Sequence, residues 1–228
     1  MFPISLRNLA ISMSWAALSV PLLLAADLSS YRNFQLGMNL LAVEKQADIK
    51  PSEAKTVHQR PAMLQDLEWR PRRFPGPAPE SDPVKDILFS FYDSQLFRMV
   101  VNYDRYRTDG LTPEDMIEAI SATYGEAARP AGEMLFPSAY SENVKVIARW
   151  EDARYSFNLV RSPFQPSFAL IAFSKELDTL AQAAVLEATR LEALDAPQRE
   201  VELQRKQGEV SRVQQEKARL VNKPGFRP

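Results

Sequence analysis

Alternation of apolar and polar residues is strongest in residues 86–103, DILFSFYDSQLFRMVVNY. Ile87, Phe89 and Phe91 alternate onto one face, and residues 93–95 then supply polar turn chemistry. The alternation resumes at Phe97, Met99, Val101 and Tyr103. This pattern is typical of a β-hairpin with one buried face. We therefore predict a hairpin at the centre of the fold, with Ile87, Phe89 and Phe91 in the core.

Capping residues predict helices on both sides of this hairpin. Asn39 precedes an apolar run and is a suitable N-cap for a first helix. Thr112 is the predicted cap of a second, with Pro113 at its first helical position and Gly125 at its end. A further helix is predicted to begin near Pro51 and to end before Pro61.

The order of the remaining elements suggests an internal duplication. Each of two units, residues 34–106 and 110–174, contains a helix followed by candidate strands, and Trp69 in the first unit corresponds to Trp150 in the second. The other candidate strands span residues 63–69, 144–150, 154–160 and 168–173. These features predict an α+β fold in which two αβββ units form one antiparallel sheet, with helices packed on one face.

The C-terminal segment, residues 175–228, differs in kind, because residues 175–222 are almost all helix formers. Between Leu177 and Leu191 the apolar residues recur every three or four positions, so this part is expected to pack as a helix against the domain or a partner. Pro197 is predicted to interrupt the helix. Residues 199–223 are rich in charged residues and predict a solvated, fraying tail, with a coiled coil as the alternative.

The first 26 residues resemble a secretory signal peptide. Arg7 precedes an almost wholly apolar stretch over residues 9–24, and cleavage near Ala26 would leave a mature domain over residues 27–174. An uncleaved inner-membrane anchor is the alternative, because the apolar run is close to the minimum length for a bilayer span. For a secreted or periplasmic protein, the absence of cysteine fits a bacterial envelope better than a eukaryotic extracellular setting, where small domains commonly depend on disulfides.

The composition argues against several classes of function. The 28 basic and 29 acidic side chains give a net charge of −1, which argues against nucleic acid as a partner. Membrane contact is expected only through an uncleaved N-terminal segment or the basic tail. The chain has no cysteine, which excludes thiolate metal sites. It has a single histidine, His58, and only seven glycines, which argues against multi-histidine metal sites and glycine-rich phosphate-binding loops. We expect no catalytic residue, metal or cofactor.

Carboxylates offer the main catalytic alternative. Glu114, Asp115 and Glu118 form an acidic cluster, and a hydrolase would use carboxylates such as Glu114, Asp115 or Asp104 as acid and base. The position of the cluster in the first turns of a helix already explains it, because acidic residues there complement the helix dipole. His58 is expected to be a surface or capping residue.

The second face of the hairpin is the predicted binding surface. A sheet covered by helices on one side leaves its other face available to a partner protein, and aromatic and arginine side chains are common in such contacts. The residues predicted to bind a partner are Leu88, Tyr92, Arg98, Val100 and Asn102. A third alternative is a structural protein that self-associates through its C-terminal helix over residues 177–191.

The segments Leu36-Gly37-Met38-Asn39 and Gly110-Leu111-Thr112, each followed by a helix and three strands, carry a family resemblance. They resemble the tandem helix-plus-sheet modules of the β-lactamase inhibitor protein and the outer-membrane assembly lipoprotein BamE. The resemblance covers roughly residues 34–174, and this chain lacks the lipoprotein cysteine and disulfides of that family. It implies a non-catalytic binding or scaffolding role in which a sheet face meets another protein.

Overall fold

A computed structural model describes residues 27–50, 53–71, 82–130, 135–136, 144–161, 167–225 and 227. The predicted signal segment lies outside these ranges, and so do residues 72–81 of the proline-rich stretch over residues 70–83, which the sequence predicts to be a connecting loop. Within the described ranges, no helix combines the length and the apolar character that a bilayer span requires.

The described residues form ten strands and three α-helices. In chain order these are β1 Ser30–Tyr31, β2 Phe34–Gln35, α1 Leu40–Ala47, β3 Lys55–His58, β4 Leu64–Trp69, β5 Val84–Tyr92, β6 Gln95–Tyr103, α2 Pro113–Tyr124, β7 Leu135–Phe136, β8 Val144–Glu151, β9 Tyr155–Arg161, β10 Phe168–Ser174 and α3 Lys175–Asn222.

The predicted hairpin is confirmed as β5 and β6, which pair antiparallel along their length. Asp93 and Ser94 form the two-residue turn, and both have positive φ, 44° and 65°. Positive φ at both turn positions matches the right-handed twist of the flanking strands. As predicted, Phe89 and Phe91 are fully buried on one face.

The two predicted caps are also confirmed. The Asn39 side chain accepts a hydrogen bond of 2.8 Å from the Ala42 amide at the start of α1. At the start of α2, Thr112 and Asp115 exchange hydrogen bonds in a capping box. Gly37 lies two residues before Asn39 and has a φ of 90°, and Gly110 lies two residues before Thr112 and has a φ of 79°. A side chain would be strained at that φ, which explains why glycine precedes both helices.

The larger sheet confirms the predicted α+β fold. Its strand order is β3-β4-β5-β6-β10-β9-β8-β7, and all neighbouring pairs are antiparallel. From β3 to β6, and again from β7 to β10, the chain therefore runs from an outer strand of the sheet towards its centre. These two halves meet where β6 pairs with β10. Helices α1 and α2 bury Val43 and Ile117 against the same sheet face. Such an order is what a duplication would produce, and common origin of the halves stays a prediction.

The two tryptophans matched in the sequence make equivalent contacts. Trp69 Nε1 donates to the carbonyl of Ala47, at the end of α1, over 3.1 Å. Trp150 Nε1 donates to the carbonyl of Gly125, at the end of α2, over 2.9 Å. Each helix is therefore held at its C-terminal end by an indole of the sheet, which gives a partner to a carbonyl that the helix leaves unpaired.

Two predictions about secondary structure were wrong. Residues 55–58 form strand β3 where the sequence predicted a helix, because β3 pairs with β4 and Thr56 and Val57 favour a strand. The C-terminal helix α3 continues through Pro197 as a single 48-residue element. In the turn before this proline, the Arg199 guanidinium donates a 2.7 Å hydrogen bond to the Glu192 carbonyl.

The opposite face of the sheet is covered in part by the first half of α3. Ala181 and Ala184 of α3 pack with Leu64 and Phe97 of the sheet. The small alanine side chains let the helix approach closely. The sequence analysis assumed that this face is open, but α3 covers part of it. The residues of α3 that were predicted to pack against the domain or a partner pack against the sheet of their own chain.

Glu44 of α1 is an unusual buried residue. Its side chain is 3 % exposed, and neither carboxylate oxygen has a hydrogen-bond partner in the part of the chain that the structure describes. A buried polar group without a partner costs about 1–3 kcal/mol. Glu44→Met keeps the length of the side chain and removes both oxygens, so we expect it to raise the free energy of unfolding by a similar amount.

Urea unfolding followed by circular dichroism measures this change. Glu44→Gln is the matched control, because it keeps a buried polar group of the same shape and should gain less than Glu44→Met. A Glu44→Met variant less stable than wild type would contradict the interpretation of Glu44 as an unpartnered group.

Candidate binding face and hairpin-end cleft

Two of the five predicted partner-binding residues lie beneath α3. Tyr92, at the end of β5, packs against the cluster formed with Ala181 and Ala184. Arg98 of β6 is 8 % exposed and forms an ion pair with Asp178 in the first turn of α3. In this structure both side chains therefore anchor the C-terminal helix to the sheet.

The Arg98–Asp178 pair has several hydrogen bonds. Arg98 Nε and Nη2 both donate to Asp178 Oδ1, the former over 3.1 Å. The second carboxylate oxygen accepts a 2.6 Å hydrogen bond from Gln182 Nε2. Arg98 also lies 5.4 Å from the centre of the Phe97 ring, a cation–π contact. These contacts compensate for the burial of both charges.

Leu88 and Val100 lie next to each other further along the same face. They are cross-strand partners of β5 and β6, and both are half-buried. Val100 packs against a second apolar cluster on this face, which contains Val160 and Ile171. These two residues therefore extend an apolar row across the sheet beside α3.

Asn102, the fifth predicted residue, lines a cleft at the open end of the hairpin. We call it the hairpin-end cleft. It has a volume of about 380 Å³. Its lining residues are Lys85, Asn102, Tyr103, Asp104, Arg105, Tyr106 and Ser167. The cleft forms where the end of β6, the loop after it and the residue before β10 come together, which is the end of the hairpin away from its turn.

Hydrogen bonds fix the walls of the cleft. Asn102 Nδ2 donates to Asp86 Oδ1 over 2.5 Å, and Lys85 Nζ lies 3.5 Å from the other oxygen of Asp86. Asp104 Oδ1 accepts a 2.8 Å hydrogen bond from the Tyr106 amide. The loop that follows β6 is therefore held by its own aspartate, and the Asn102 carbonyl oxygen stays oriented by the contact of its amide nitrogen.

The rim of the cleft presents an aromatic ring beside a cation. Tyr106 is 79 % exposed, and the Arg105 guanidinium lies 5.2 Å from the centre of its ring. Such a cation–π pair stabilises the ring while leaving its outer side accessible. Lys85 and Arg105 make the rim basic, with Asp104 as the acidic residue in the lining.

Tyr103 forms the base of the cleft and is almost fully buried. Burial raises the pKa of Tyr103 well above its ordinary range, and the neighbouring Tyr31 hydroxyl acts in the same direction. Burial likewise raises the pKa of Tyr124, on α2, to about 12. These phenols therefore stay neutral at physiological pH and act as hydrogen-bonding groups within the core.

The carboxylates of the hydrolase alternative are not brought together. Asp104 lines the cleft, whereas Glu114 and Asp115 lie in the first turn of α2. Hydrogen bonds from Thr112 lower the pKa of Asp115, which matches its role in the capping box. Glu114 lies 3.5 Å from Arg129.

His58 of β3 contacts α3. Its Nδ1 lies 3.1 Å from Glu192 Oε1, and the neighbouring Arg60 forms an ion pair of 2.7 Å with Asp195. Together these contacts tie the edge of the sheet to the middle of the helix. They extend the anchored part of α3 to Asp195.

Four lining residues were missed by the sequence analysis, namely Lys85, Arg105, Tyr106 and Ser167. A signal was present for two of them, because Arg105 and Tyr106 place an arginine and an aromatic ring between the predicted hairpin and the second predicted helix, where burial is not expected. Nothing local marks Ser167 or Lys85, which reach the cleft through strand pairing with β6.

Comparison with known proteins found no matching family model, no matching curated protein and no matching solved structure. The resemblance to the β-lactamase inhibitor protein and BamE therefore stays a prediction that rests on the residues of this sequence.

Proposed function

We propose that this chain is a non-catalytic protein-binding or scaffolding module of a bacterial envelope, secreted or periplasmic, and that its partner protein binds at the hairpin-end cleft. The observation that carries the proposal is the Arg105–Tyr106 pair, an exposed aromatic ring with a stacked guanidinium at the rim of a cleft. Tyrosine and arginine are among the residues that contribute most to protein–protein binding energy.

The surroundings of the pair support the same function. Asn102 lines the cleft, and the half-buried Leu88 and Val100 lie along the same sheet face. An apolar row beside a polar cleft is the usual composition of a protein interface with a buried centre and a polar rim. The basic rim, with Lys85 and Arg105, favours a partner segment that carries a carboxylate.

The N-terminal segment supports the proposed location, because a signal peptide would export residues 27–228 to the envelope. In that compartment the cysteine-free chain depends on its apolar core and on the contacts between α3 and the sheet. The order of strands and the equivalent Trp69 and Trp150 contacts also support a duplicated module of the kind that the resemblance implies.

Affinity capture from envelope extracts, with quantification by mass spectrometry, tests the proposal. The double variant Arg105→Ala with Tyr106→Ala should reduce the captured partner by more than about tenfold, because truncating one binding hot spot costs at least about 2 kcal/mol. Both side chains are exposed, so the free energy of unfolding should stay unchanged.

Two control chains sharpen this comparison. Leu41→Ala removes an exposed leucine of α1, 70 % exposed on the other side of the sheet, and should leave capture intact. A chain truncated after residue 198 removes the end of α3 and should capture the same partner. Equal capture by wild type and the double variant would contradict binding at the cleft.

A further inference from the structure

The second half of α3 extends beyond the rest of the molecule. Its last contact with the sheet in the described structure is the Arg60–Asp195 ion pair. From there to Asn222 every side chain is exposed apart from that of Asp195. At 1.5 Å per residue this arm is about 40 Å long. An isolated helix of such length, with Gly208 inside it, is marginal in water.

The arm contains a seven-residue repeat. Residues 202–208, 209–215 and 216–222 read ELQRKQG, EVSRVQQ and EKARLVN, so glutamate and arginine recur at the same two positions of each heptad. At two other positions of the heptad, four of the six residues are large apolar ones and two are lysines. The residues at these two positions are, in order, Leu203, Lys206, Val210, Val213, Lys217 and Leu220. Their spacing of three and four residues is that of a coiled-coil seam.

The seam is exposed in the single chain. Leu203, Val210, Val213 and Leu220 are 59 %, 56 %, 51 % and 61 % exposed. Lys206 does not interrupt it fully, because its ammonium lies 2.8 Å from Glu202 on the same helix and its apolar stem can lie along the seam. We propose that this seam is a dimerisation surface, and that its occupant is the same segment of a second copy of the chain, running antiparallel.

The order of the seam residues matches a second, antiparallel copy. Leucine, lysine, valine, valine, lysine, leucine reads the same in both directions. An antiparallel copy centred between residues 211 and 212 therefore places Leu203 opposite the second copy's Leu220 and Val210 opposite its Val213. The same register places Lys206 opposite the second copy's Lys217, where Glu202, which pairs with Lys206 on its own helix, and the second copy's Glu216 offset the two positive charges.

The side of the helix on which the seam lies excludes a parallel arrangement of the two arms. Val213 and Leu220 lie 36 residues after Leu177 and Ala184, which is about ten full turns, so they point to the same side of the helix as the residues that pack on the sheet. A parallel partner helix on this side would run into the sheet of the first copy.

An antiparallel copy avoids this clash. With the overlap centred as above, Asn222 of each chain reaches the height of Val201 of the other. This position lies just beyond Asp195, where the anchored part of α3 ends. The arm is therefore long enough for the overlap and short enough to leave the two sheets apart. The proposal does not depend on the hairpin-end cleft, which lies on another part of the molecule.

Sedimentation velocity of residues 27–228 over a range of concentrations tests the proposal. We expect the wild-type chain to shift from monomer to dimer as the concentration rises, and Val213→Glu to stay monomeric at the highest concentration. Val201→Glu is the matched control, because Val201 is 68 % exposed on the other side of the arm, and it should dimerise like wild type. A wild-type chain that stays monomeric throughout, or that pairs only with a foreign protein, would overturn the proposal.

Engineered cysteines test the orientation, since the chain has none of its own. A mixture of the Leu203→Cys and Leu220→Cys chains should form an interchain disulfide under mild oxidation, because a disulfide requires Cα atoms within about 7 Å. Leu203→Cys alone should form little of it. A disulfide that forms as readily with Leu203→Cys alone as in the mixture would contradict the antiparallel arrangement.

Discussion

Replacing Asp178 with alanine is expected to lower the free energy of unfolding by about 3–5 kcal/mol, because it removes the buried carboxylate that forms an ion pair with Arg98. The side chains of both residues are less than a tenth exposed, so water cannot replace the lost carboxylate. Urea unfolding followed by circular dichroism gives the change directly, and protease cleavage within α3 should become faster because the helix loses its anchor at the sheet.

Two comparisons separate the buried pair from ordinary ion pairs. Asp195→Ala breaks the Arg60 pair, whose side chains are 70 % and 43 % exposed, and should cost less than about 1 kcal/mol. A double variant, Arg98→Met with Asp178→Leu, removes both charges and should recover most of the loss. A loss no larger for Asp178→Ala than for Asp195→Ala would show that Arg98 finds another partner or reaches water.

The second large effect is expected at Trp150. Trp150→Ala should cost about 3–5 kcal/mol, because it removes the largest side chain among the fully buried residues and leaves a cavity between α2 and the sheet. Thermal or urea unfolding measures the loss. Trp150 does not line the hairpin-end cleft, so partner capture by the folded fraction should persist.

Trp150→Phe separates the contribution of the indole hydrogen bond from that of the buried ring. It keeps most of the ring but removes the donor to the Gly125 carbonyl, so it should cost about 1–3 kcal/mol. Trp69→Phe removes the equivalent hydrogen bond to Ala47 and should also destabilise, though less, because Trp69 is only half-buried. A neutral Trp150→Phe would show that the indole hydrogen bond contributes nothing.

Local signals explain the elements that the sequence predicted well. The hairpin turn at Asp93 and Ser94 and the caps at Asn39 and Thr112 depend on residues within a few positions of one another. Side chains that satisfy nearby backbone groups act in the same way wherever the rest of the chain lies. The fold class followed from these elements together with the alternation of the strands.

Contacts between distant residues explain the errors. Strand β3 is tied to α3 through His58 and Glu192, which are 134 residues apart, whereas the helix signal near Pro51 is local. Pro197 is tolerated because the helix around it is exposed, so water can bind the Ala193 carbonyl, which has no amide donor at residue 197. The contact between His58 and Glu192 is not visible in a window of neighbouring residues.

The residues of the candidate site likewise divide into those that the local sequence predicts and those that depend on distant contacts. Arg98 was expected to face a partner because it alternates with buried residues of β6, but its counter-charge, Asp178, lies 80 residues later. The hint was the position of this aspartate beside the alanine stripe of α3. Asn102 was predicted on the correct face, whereas Lys85 and Ser167 join it only through the pairing of three strands.

Site-specific photo-crosslinking in living cells tests the binding role most directly. A photoreactive phenylalanine analogue at Tyr106 of the full chain would report what lies against the rim of the hairpin-end cleft, and the same group at Leu41 serves as the control on the other side of the sheet. We predict a single discrete adduct with an envelope protein from position 106 and none from position 41. No adduct from position 106, or equal adducts from both positions, would contradict a partner-binding role for the cleft.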